Sequence, residues 1–297
     1  MEYPLKKNQP VVVKEEKALT PFQVKLRLFL KNKLAVTGAV IVLLFILLAI
    51  FAPLIAPYGI REQDLTKRLL PPSGNNWFGT DDFGRDIFSR VIFGARISLW
   101  VGFFSVLGSV IVGSFLGILA GYYGRWVDTI ISRIFDIMLA FPSILLAIAI
   151  VSILGPSLQN ALIAIAVINI PNFGRLIRSK VLSVKQEEYI TAAKAVGMKD
   201  SRILFVHILP NSLSPIIVQS TLAIGTAIIE AAALGFLGLG AEAPNPEWGK
   251  MLADSKQYLV QAPWTLIFPG LAIMLTVLGF NLMGDGFRDA LDPKGKH

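Results

Sequence analysis

The chain has 297 residues, of which 54% are hydrophobic and only 16% are charged, and its mean hydropathy is +0.63. A soluble domain carries roughly a quarter of charged residues, so this composition excludes a protein whose whole surface faces water and indicates the lipid bilayer. The net charge of +8 does not favour nucleic-acid binding, because the basic residues lie in short blocks between long apolar runs.

The first 57 residues divide into a polar tail and an apolar run. Residues 1–33 are predicted to be a cytoplasmic tail. The run 34–57 is uncharged and exceeds the length of about 20 residues that a spanning helix needs. Its long polar lead is unlike that of a secretory signal, so a retained first transmembrane helix is predicted.

Residues 58–97 are predicted to form an extracellular loop that contains one interfacial helix. Thr80 is a candidate N-cap, followed by Asp81 and Asp82 in the first turn. An apolar face then suggests a helix that lies along the membrane surface, and it comprises Ile87, Phe88, Val91, Ile92 and Ala95.

Residues 98–287 contain five further apolar runs and are predicted to form a five-helix core. The runs are 98–122, 129–153, 158–177, 214–240 and 264–284, and residues 288–297 form a second tail. The fold class is therefore predicted as all-α, a polytopic membrane protein with six transmembrane helices. Most Lys and Arg residues fall in the two tails and in the loops on the same side, which places both termini in the cytoplasm.

Residues 185–210, named here the coupling segment, are predicted to form a pair of short helices on the cytoplasmic side. Glu187 and Glu188 suit the start of the first helix, and Gly197 suits the left-handed residue that ends it. Asp200 is the expected N-cap of a second helix, which Pro210 would close. Small side chains could let this pair dock in a groove of another protein; the alternative is packing on the inner loops of this chain.

Motifs in and around this segment match a known family. Thr191-Ala192-Ala193, then Gly197, then His207-Ile208-Leu209-Pro210 resembles the motif of permease subunits of ATP-binding-cassette importers: Glu-Ala-Ala, three residues, Gly, nine residues, Ile, one residue, Leu-Pro. Thr191 and His207 stand where that motif has Glu and Ile. Segments similar to dipeptide, oligopeptide and nickel permeases are 79–81, 84–86, 136–142, 235–240, 246–249 and 284–293.

The resemblance implies a type I importer permease of the plasma (inner) membrane that pairs with a related sister permease. Two cytoplasmic ATPases would grip the coupling segment, and an extracellular or periplasmic binding protein would deliver the substrate. The expected substrate is a di- or oligopeptide, with nickel and glutathione as alternatives. The residues assigned to ATPase coupling are Glu187, Glu188, Tyr189, Thr191, Ala192, Ala193, Gly197 and Asp200.

The chain is not expected to be an enzyme or to hold a cofactor. It lacks a complete phosphate-binding loop, for which the nearest fragment is Gly249-Lys250. ATP and Mg²⁺ are therefore expected on the partner ATPases. With no cysteine and two isolated histidines, no metal site is expected.

Four residues are candidates for the pore or its gate: Asn169, Asn172, Glu230 and Trp248. Glu230 is the deepest charge, which makes a functional role the default hypothesis; the alternative is a carboxyl group bonded to a neighbouring helix. Asn169 and Asn172 flank Pro171 and could line water or contact another helix. Trp248 could be an interfacial anchor or part of an outer gate.

Two further patterns have structural interpretations. Gly113, Gly117 and Gly121 recur every fourth residue, which favours close helix packing in lipid, with a gating hinge as the alternative. Arg133 and Asp136 are expected to pair along one helix.

Two other classes of protein stay open. A secondary transporter or channel would need matched ion sites in two halves, whereas one deep carboxylate is found. In a membrane-bound assembly or receptor protein, the coupling segment would be incidental.

Overall fold

The computed structural model describes residues 20–291, so residues 1–19 and 292–297 of the two predicted tails lie outside the described residues. Within that range the fold is helical, with no strand beyond one isolated bridge between Thr80 and Asp86. The helices are α1 (Pro21–Lys31), α2 (Lys33–Ile50), α3 (Ala52–Ile55), α4 (Ile87–Tyr123), α5 (Arg125–Leu139), α6 (Ser143–Leu154), α7 (Leu158–Lys185), α8 (Glu188–Ala195), α9 (Asp200–Arg202), α10 (Leu209–Phe236), α11 (Trp248–Ser255) and α12 (Trp264–Leu291).

Five of the described helices are long and apolar enough to cross a membrane: α2, α4, α7, the continuous helix Asp200–Phe236, and α12. The pair α5 and α6 brings the number to six if the two halves count as one span. The predicted all-α bundle of six spans is therefore confirmed in class, and its differences lie in where helices begin, break and join.

The prediction of a separate interfacial helix was wrong. α4 is one helix of 37 residues that starts at Ile87, and most of the predicted surface face, including Val91 and Ala95, is buried in the core. Its N-cap is Asp86, whose carboxylate accepts from the backbone N–H of Ser89 at 2.7 Å. Thr80 instead donates to the carbonyl of Lys67 at 2.5 Å and so holds the preceding loop.

The span predicted over 129–153 is present as a sharply bent pair of helices rather than as one continuous helix. α5 and α6 meet at a bend of 94°, and Ala140–Pro142 separate them. Proline has no N–H to continue the helical ladder, so Pro142 becomes the N-cap of α6. Arg133 and Asp136 are the charged residues of this run and lie before the bend, so hydropathy alone could not locate it.

The second helix of the coupling segment does not end at Pro210 as predicted. α9 passes through a π-helical turn, Ile203–Ile208, directly into α10. In a π turn the backbone hydrogen bonds join residues five apart rather than four apart. The missing N–H of Pro210, which lies where this turn passes into α10, therefore does not end the helix. The second helix of the coupling segment and α10 consequently form one continuous helix, Asp200–Phe236.

Gly113, Gly117 and Gly121 on α4 pack against α7, which confirms the prediction of close helix packing. A Cβ atom at Gly113 would lie 2.7 Å from the carbonyl oxygen of Ile170, and one at Gly121 would lie 2.8 Å from the Cβ of Val181. Only glycine allows the two backbones this separation. The α4–α7 pair is thus closely packed and lies next to the main apolar core between α4, α6, α7 and α10.

Candidate functional site

The coupling segment is a tight turn of helix built on a left-handed glycine. α8 ends at Ala195, and Gly197 follows with φ +78°, as the sequence predicted. The N–H of Gly197 donates to the carbonyl of Lys194 and the N–H of Met198 to that of Ala193, both at 3.0 Å. This is the Schellman arrangement that satisfies the last carbonyls of a helix, and it fixes the direction in which the chain leaves α8.

One face of the segment is buried against the bundle. Ile190, Ile203 and Ile208 are fully buried and pack with α7 residues including Val181. Ala193 lies on this inner face with only 7% of its surface exposed. Its small side chain therefore serves packing within this chain, contrary to the expectation that it offers bare backbone to a partner.

The other face of the segment is open. Glu187, Glu188, Thr191, Ala192 and Gly197 are exposed, with Tyr189 exposed by 44% and Val196 by 80%. Val196 was not among the residues predicted from the sequence, although a valine at the tip of a polar turn is itself a signal. The exposed face combines small side chains, two carboxylates and one large apolar side chain.

Tyr122 at the end of α4 holds the segment in place. Its hydroxyl donates to the carboxylate of Asp200, while its carbonyl oxygen accepts from Nζ of Lys185 at 2.7 Å. The ammonium group of Lys194 lies 5.3 Å from the centre of the Tyr122 ring, within the range of a cation–π contact. We call these contacts the Tyr122 clasp; they join α4, α7, α8 and α9.

Asp200 was predicted to be the N-cap of the second helix, and the structure gives it a different role. The N-cap of α9 is Lys199, and Asp200 is the first residue inside the helix, where a carboxylate still suits the positive end of the dipole. Its side chain is engaged by Tyr122, 78 residues away in sequence. No local pattern indicates such a pair.

Three of the four pore candidates meet at one cleft of about 320 Å³ between α7, α10 and the bend of α5 and α6. The side-chain amide of Asn169 donates to a carboxylate oxygen of Glu230 at 3.0 Å and to the carbonyl of Ile165 at 3.0 Å. The amide of Asn172 lies 3.5 Å from the side-chain oxygen of Asn169. Both interpretations of Glu230 thus find support: it bonds to a neighbouring helix and lines a cavity.

Polar residues of α10 complete this wall, and they were not predicted from the sequence. Gln219 and Thr226 line the same cleft as Glu230. Their spacing of seven and then four residues places all three on one helical face, so the pattern was available in the sequence. The facing side is mainly apolar, with Met138, Leu139, Phe141 and Leu146, and also includes Ser143. We name this cavity the central cleft.

Trp248 lies elsewhere and is not an interfacial anchor. Its side chain is fully buried, its indole N–H donates to the carbonyl of Val91 at 3.0 Å, and its ring meets Phe45 edge to face at 5.8 Å. It therefore pins α11 to α4 and α2. The anchoring interpretation failed because the loop folds back onto the bundle, which a one-dimensional pattern does not show.

Glu247 beside it caps α11. Its carboxylate accepts from the N–H groups of Gly249 and Lys250, both at 2.8 Å. Burial raises the pKa of Glu247 to about 6, although these two hydrogen bonds oppose the shift.

The loop that precedes α4 is held by a compact ionic cluster. Nε of Arg85 lies 2.6 Å from the carboxylate of Asp81, and Nε of Arg90 lies 3.6 Å from the same group. Burial and the neighbouring carboxylate of Asp81 raise the pKa of Asp82 above its usual range. A wide cleft of about 880 Å³ lies between this loop and residues 236–257.

Asp136 pairs mainly across helices rather than along its own. Its carboxylate lies 2.5 Å from the guanidinium of Arg175 on α7, against 3.9 Å from that of Arg133. Within residues 20–291, no group of three or more His, Asp or Glu side chains is arranged to hold a metal ion.

Two family models match the sequence. The one described as "Binding-protein-dependent transport system inner membrane component" matches residues 113–297, and "N-terminal TM domain of oligopeptide transport permease C" matches residues 20–72. The first match covers the central cleft and the coupling segment.

Curated relatives match over almost the whole chain. The chain is 65% identical over 289 residues to the dipeptide transport system permease protein DppC of Alkalihalophilus pseudofirmus, covering 97% of this chain and 95% of that protein. It is 50% identical to DppC of Haemophilus influenzae, over 93% and 96% of the two chains. It is 49% identical to the glutathione transport system permease protein GsiD of Pectobacterium atrosepticum, over 96% and 95%.

Solved structures share the fold. A chain of the MetNI methionine ABC transporter in an inward-facing conformation superposes with a TM-score of 0.57 at 19% identity, covering 68% of this chain and 96% of that chain. A chain of an amino acid ABC transporter with histidines superposes with a TM-score of 0.53 at 14% identity, covering 67% and 92%. At these identities the likeness concerns the fold alone.

Proposed function

The chain belongs to the binding-protein-dependent transport system inner membrane component family, and from this membership we propose that it is the permease subunit of an ATP-driven importer of di- and oligopeptides. The peptide substrate is favoured by the 65% identity to a dipeptide permease, against 49% to a glutathione permease. The chain would lie in the plasma membrane with both termini in the cytoplasm, as the positive loops indicate.

The observation that carries this proposal is the two-sided coupling segment. Its inner face is locked to the bundle through Ile190, Ile203 and Ile208, while its outer face presents Ala192 and Val196 without cover from residues 20–291. A small-residue turn with an apolar tip suits a groove on a partner. We assign this face to one of two cytoplasmic ATPases, each of which would contact one permease of the pair.

The continuous helix Asp200–Phe236 supplies the mechanical connection. Its first turn belongs to the coupling segment, and its later turns carry Gln219, Thr226 and Glu230 into the central cleft. A displacement of the segment by closing ATPases would therefore move one wall of the cleft. The Tyr122 clasp would carry the same displacement into α4. Packed helices that switch between discrete arrangements make such coupling efficient.

We propose that the central cleft forms part of the translocation path. Its polar side comes from α7 and α10, and its other side comes from the bent pair α5 and α6. Irregular backbone at membrane depth is tolerated where it lines a cavity. A sister permease would close the open side of the cleft, and a binding protein would supply peptide from the side that carries α11.

The test is peptide uptake into liposomes that contain the complete transporter and loaded binding protein. Ala192→Arg should abolish ATP-driven uptake of the dipeptide Ala-Ala, because the arginine blocks the groove contact, whereas Ala192→Ser keeps the surface small and should transport normally. The folded state is checked by thermal unfolding, which neither exposed substitution should change. Normal uptake by the arginine variant would refute the docking role. Uptake without any ATPase would favour a secondary transporter.

A further inference from the structure

The central cleft contains one carboxylate and no cationic side chain. Glu230 is the only charged residue among those that line it. Asn169 donates to one carboxylate oxygen, and no other group in residues 20–291 hydrogen-bonds to the carboxylate. An ionised group in such a position is costly unless a counter-ion reaches it.

The polar groups around Glu230 are arranged to receive a donor. Asn169 is only 8% exposed, and its two amide N–H bonds are already directed at Ile165 and Glu230. Its side-chain carbonyl oxygen consequently remains for a donor in the cleft, where Asn172 reaches it only at 3.5 Å. The Gln219 side chain adds a further acceptor on the same wall.

The size and lining of the cleft suit an organic cation better than a metal ion. Its volume of about 320 Å³ falls within the range of roughly 300–1,000 Å³ that small-molecule sites occupy. The opposite wall is mainly apolar, with Met138, Phe141 and Leu146 beside Ser143. Hard divalent cations take six or more oxygen ligands, commonly from several carboxylates, and one carboxylate is present here.

We propose that the central cleft binds the terminal ammonium group of a peptide in transit, with Glu230 as its counter-ion. This inference rests on the proposed function, because it assigns the peptide a station within the permease itself. The ammonium group donates to the free oxygen of Glu230 and to the Asn169 amide oxygen. The peptide side chains lie against the apolar wall formed by α5 and α6.

The competing role for Glu230 is a tie between α7 and α10 through Asn169. Glu230→Gln separates the two roles, because a glutamine oxygen still accepts from Asn169 while the charge is removed. Glu230→Asp retains the charge and shortens the side chain. A tie alone predicts equal behaviour of glutamine and glutamate, whereas ammonium binding requires the charge.

The test measures ligand binding directly and uses the absence of cysteine from the chain. Thr226 is exposed at the cleft, and its hydroxyl donates to backbone carbonyls of its own helix. Thr226→Cys therefore places a thiol in the cleft without removing a ligand contact. Its alkylation by N-ethylmaleimide is followed on this chain within the complete transporter, without ATP or binding protein. Leu213→Cys, exposed on α10 outside the cleft, is the matched control.

Ala-Ala and methylammonium should slow alkylation of the cleft cysteine, whereas N-acetyl-Ala-Ala should not. The slowing follows 1 + [ligand]/Kd by mass action, and the control cysteine should be unaffected. In Glu230→Gln the affinity for Ala-Ala should fall roughly 10- to 100-fold, as expected for a lost charge-assisted hydrogen bond. Glu230→Asp should retain part of the protection.

Three results would overturn the proposal: equal protection by the acetylated dipeptide, unchanged protection in Glu230→Gln, or protection by nickel ions with none by Ala-Ala. If Glu230→Gln does not assemble, the comparison of free and acetylated dipeptide in the parent cysteine variant still decides. Uptake by the unmodified transporter tests the proposed function separately, so ATP-driven peptide uptake without cleft protection would reject only this station.

Discussion

Replacement of Gly113 by alanine should destabilise the permease, because α4 and α7 approach too closely there to admit a methyl group. The added Cβ would lie 2.7 Å from the carbonyl oxygen of Ile170 and 2.8 Å from the Cβ of Phe173. Both obstacles belong to the α7 backbone or its first side-chain atom, so neither moves without the helix. Overpacking of this kind costs about 1–3 kcal/mol.

A matched glycine separates this clash from the intrinsic gain of alanine in a helix. Replacement of glycine by alanine stabilises a helix interior by about 0.5–1 kcal/mol. At Gly270 in α12 an added Cβ would have no neighbouring atom within 4 Å, so Gly270→Ala should show the gain alone. The free energy of unfolding of the two variants, measured by denaturant titration in mixed micelles, should differ by about 1–3 kcal/mol. Equal stability would refute the reasoning.

Three further predictions concern the coupling segment and the cap of α11. Tyr122→Phe removes the hydroxyl that donates to Asp200 and should weaken the clasp by about 1 kcal/mol. Amide hydrogen exchange across 190–203 should therefore accelerate roughly fivefold. Unchanged exchange would show that the clasp does not hold the segment. Gly197→Ala forces alanine to φ +78° at a cost of about 1–2 kcal/mol, which should reduce ATP-driven uptake more than Ala192→Ser does. Glu247 has a pKa of about 6 in the folded protein against 4.5 when unfolded. The free energy of unfolding should therefore fall by up to about 2 kcal/mol as pH rises from 4.5 to 6 and above. Glu247→Gln should flatten this part of the profile of stability against pH, and an identical profile in the variant would exclude Glu247 as its source.

Hydropathy predicted the number and approximate position of the spans, because the cost of exposing polar groups to lipid is large and local. It did not predict how helices join. The candidate cap at Thr80 and the apolar face of residues 87–95 suggested that a separate surface helix precedes the second span. In the structure Asp86 caps α4 and Arg90 pairs with Asp81. One continuous helix can therefore include these charged residues at its start and the apolar run after them.

The sequence predicted which residues belong to the candidate sites better than it predicted which way their side chains face. Gly197 was identified correctly because a left-handed residue after a helix has a local cause. The different exposure of Ala192 and Ala193 has no local cause, since both are small and adjacent, and only the packing of Ile190 and Ile203 decides which one turns inward. Trp248 and the Tyr122 clasp depend on contacts between residues far apart in sequence, which no periodicity indicates.

Cross-linking of the coupling segment tests the central claim most directly. A cysteine placed by Ala192→Cys in this cysteine-free chain should cross-link to an ATPase subunit of the complete transporter through a short bifunctional reagent, and ATP should change the yield. The matched Glu242→Cys, exposed on the predicted extracellular side, should give no such product. The central claim is contradicted if Ala192→Cys reacts only with reagents confined to the outside of the cell, or if it never reaches an ATPase.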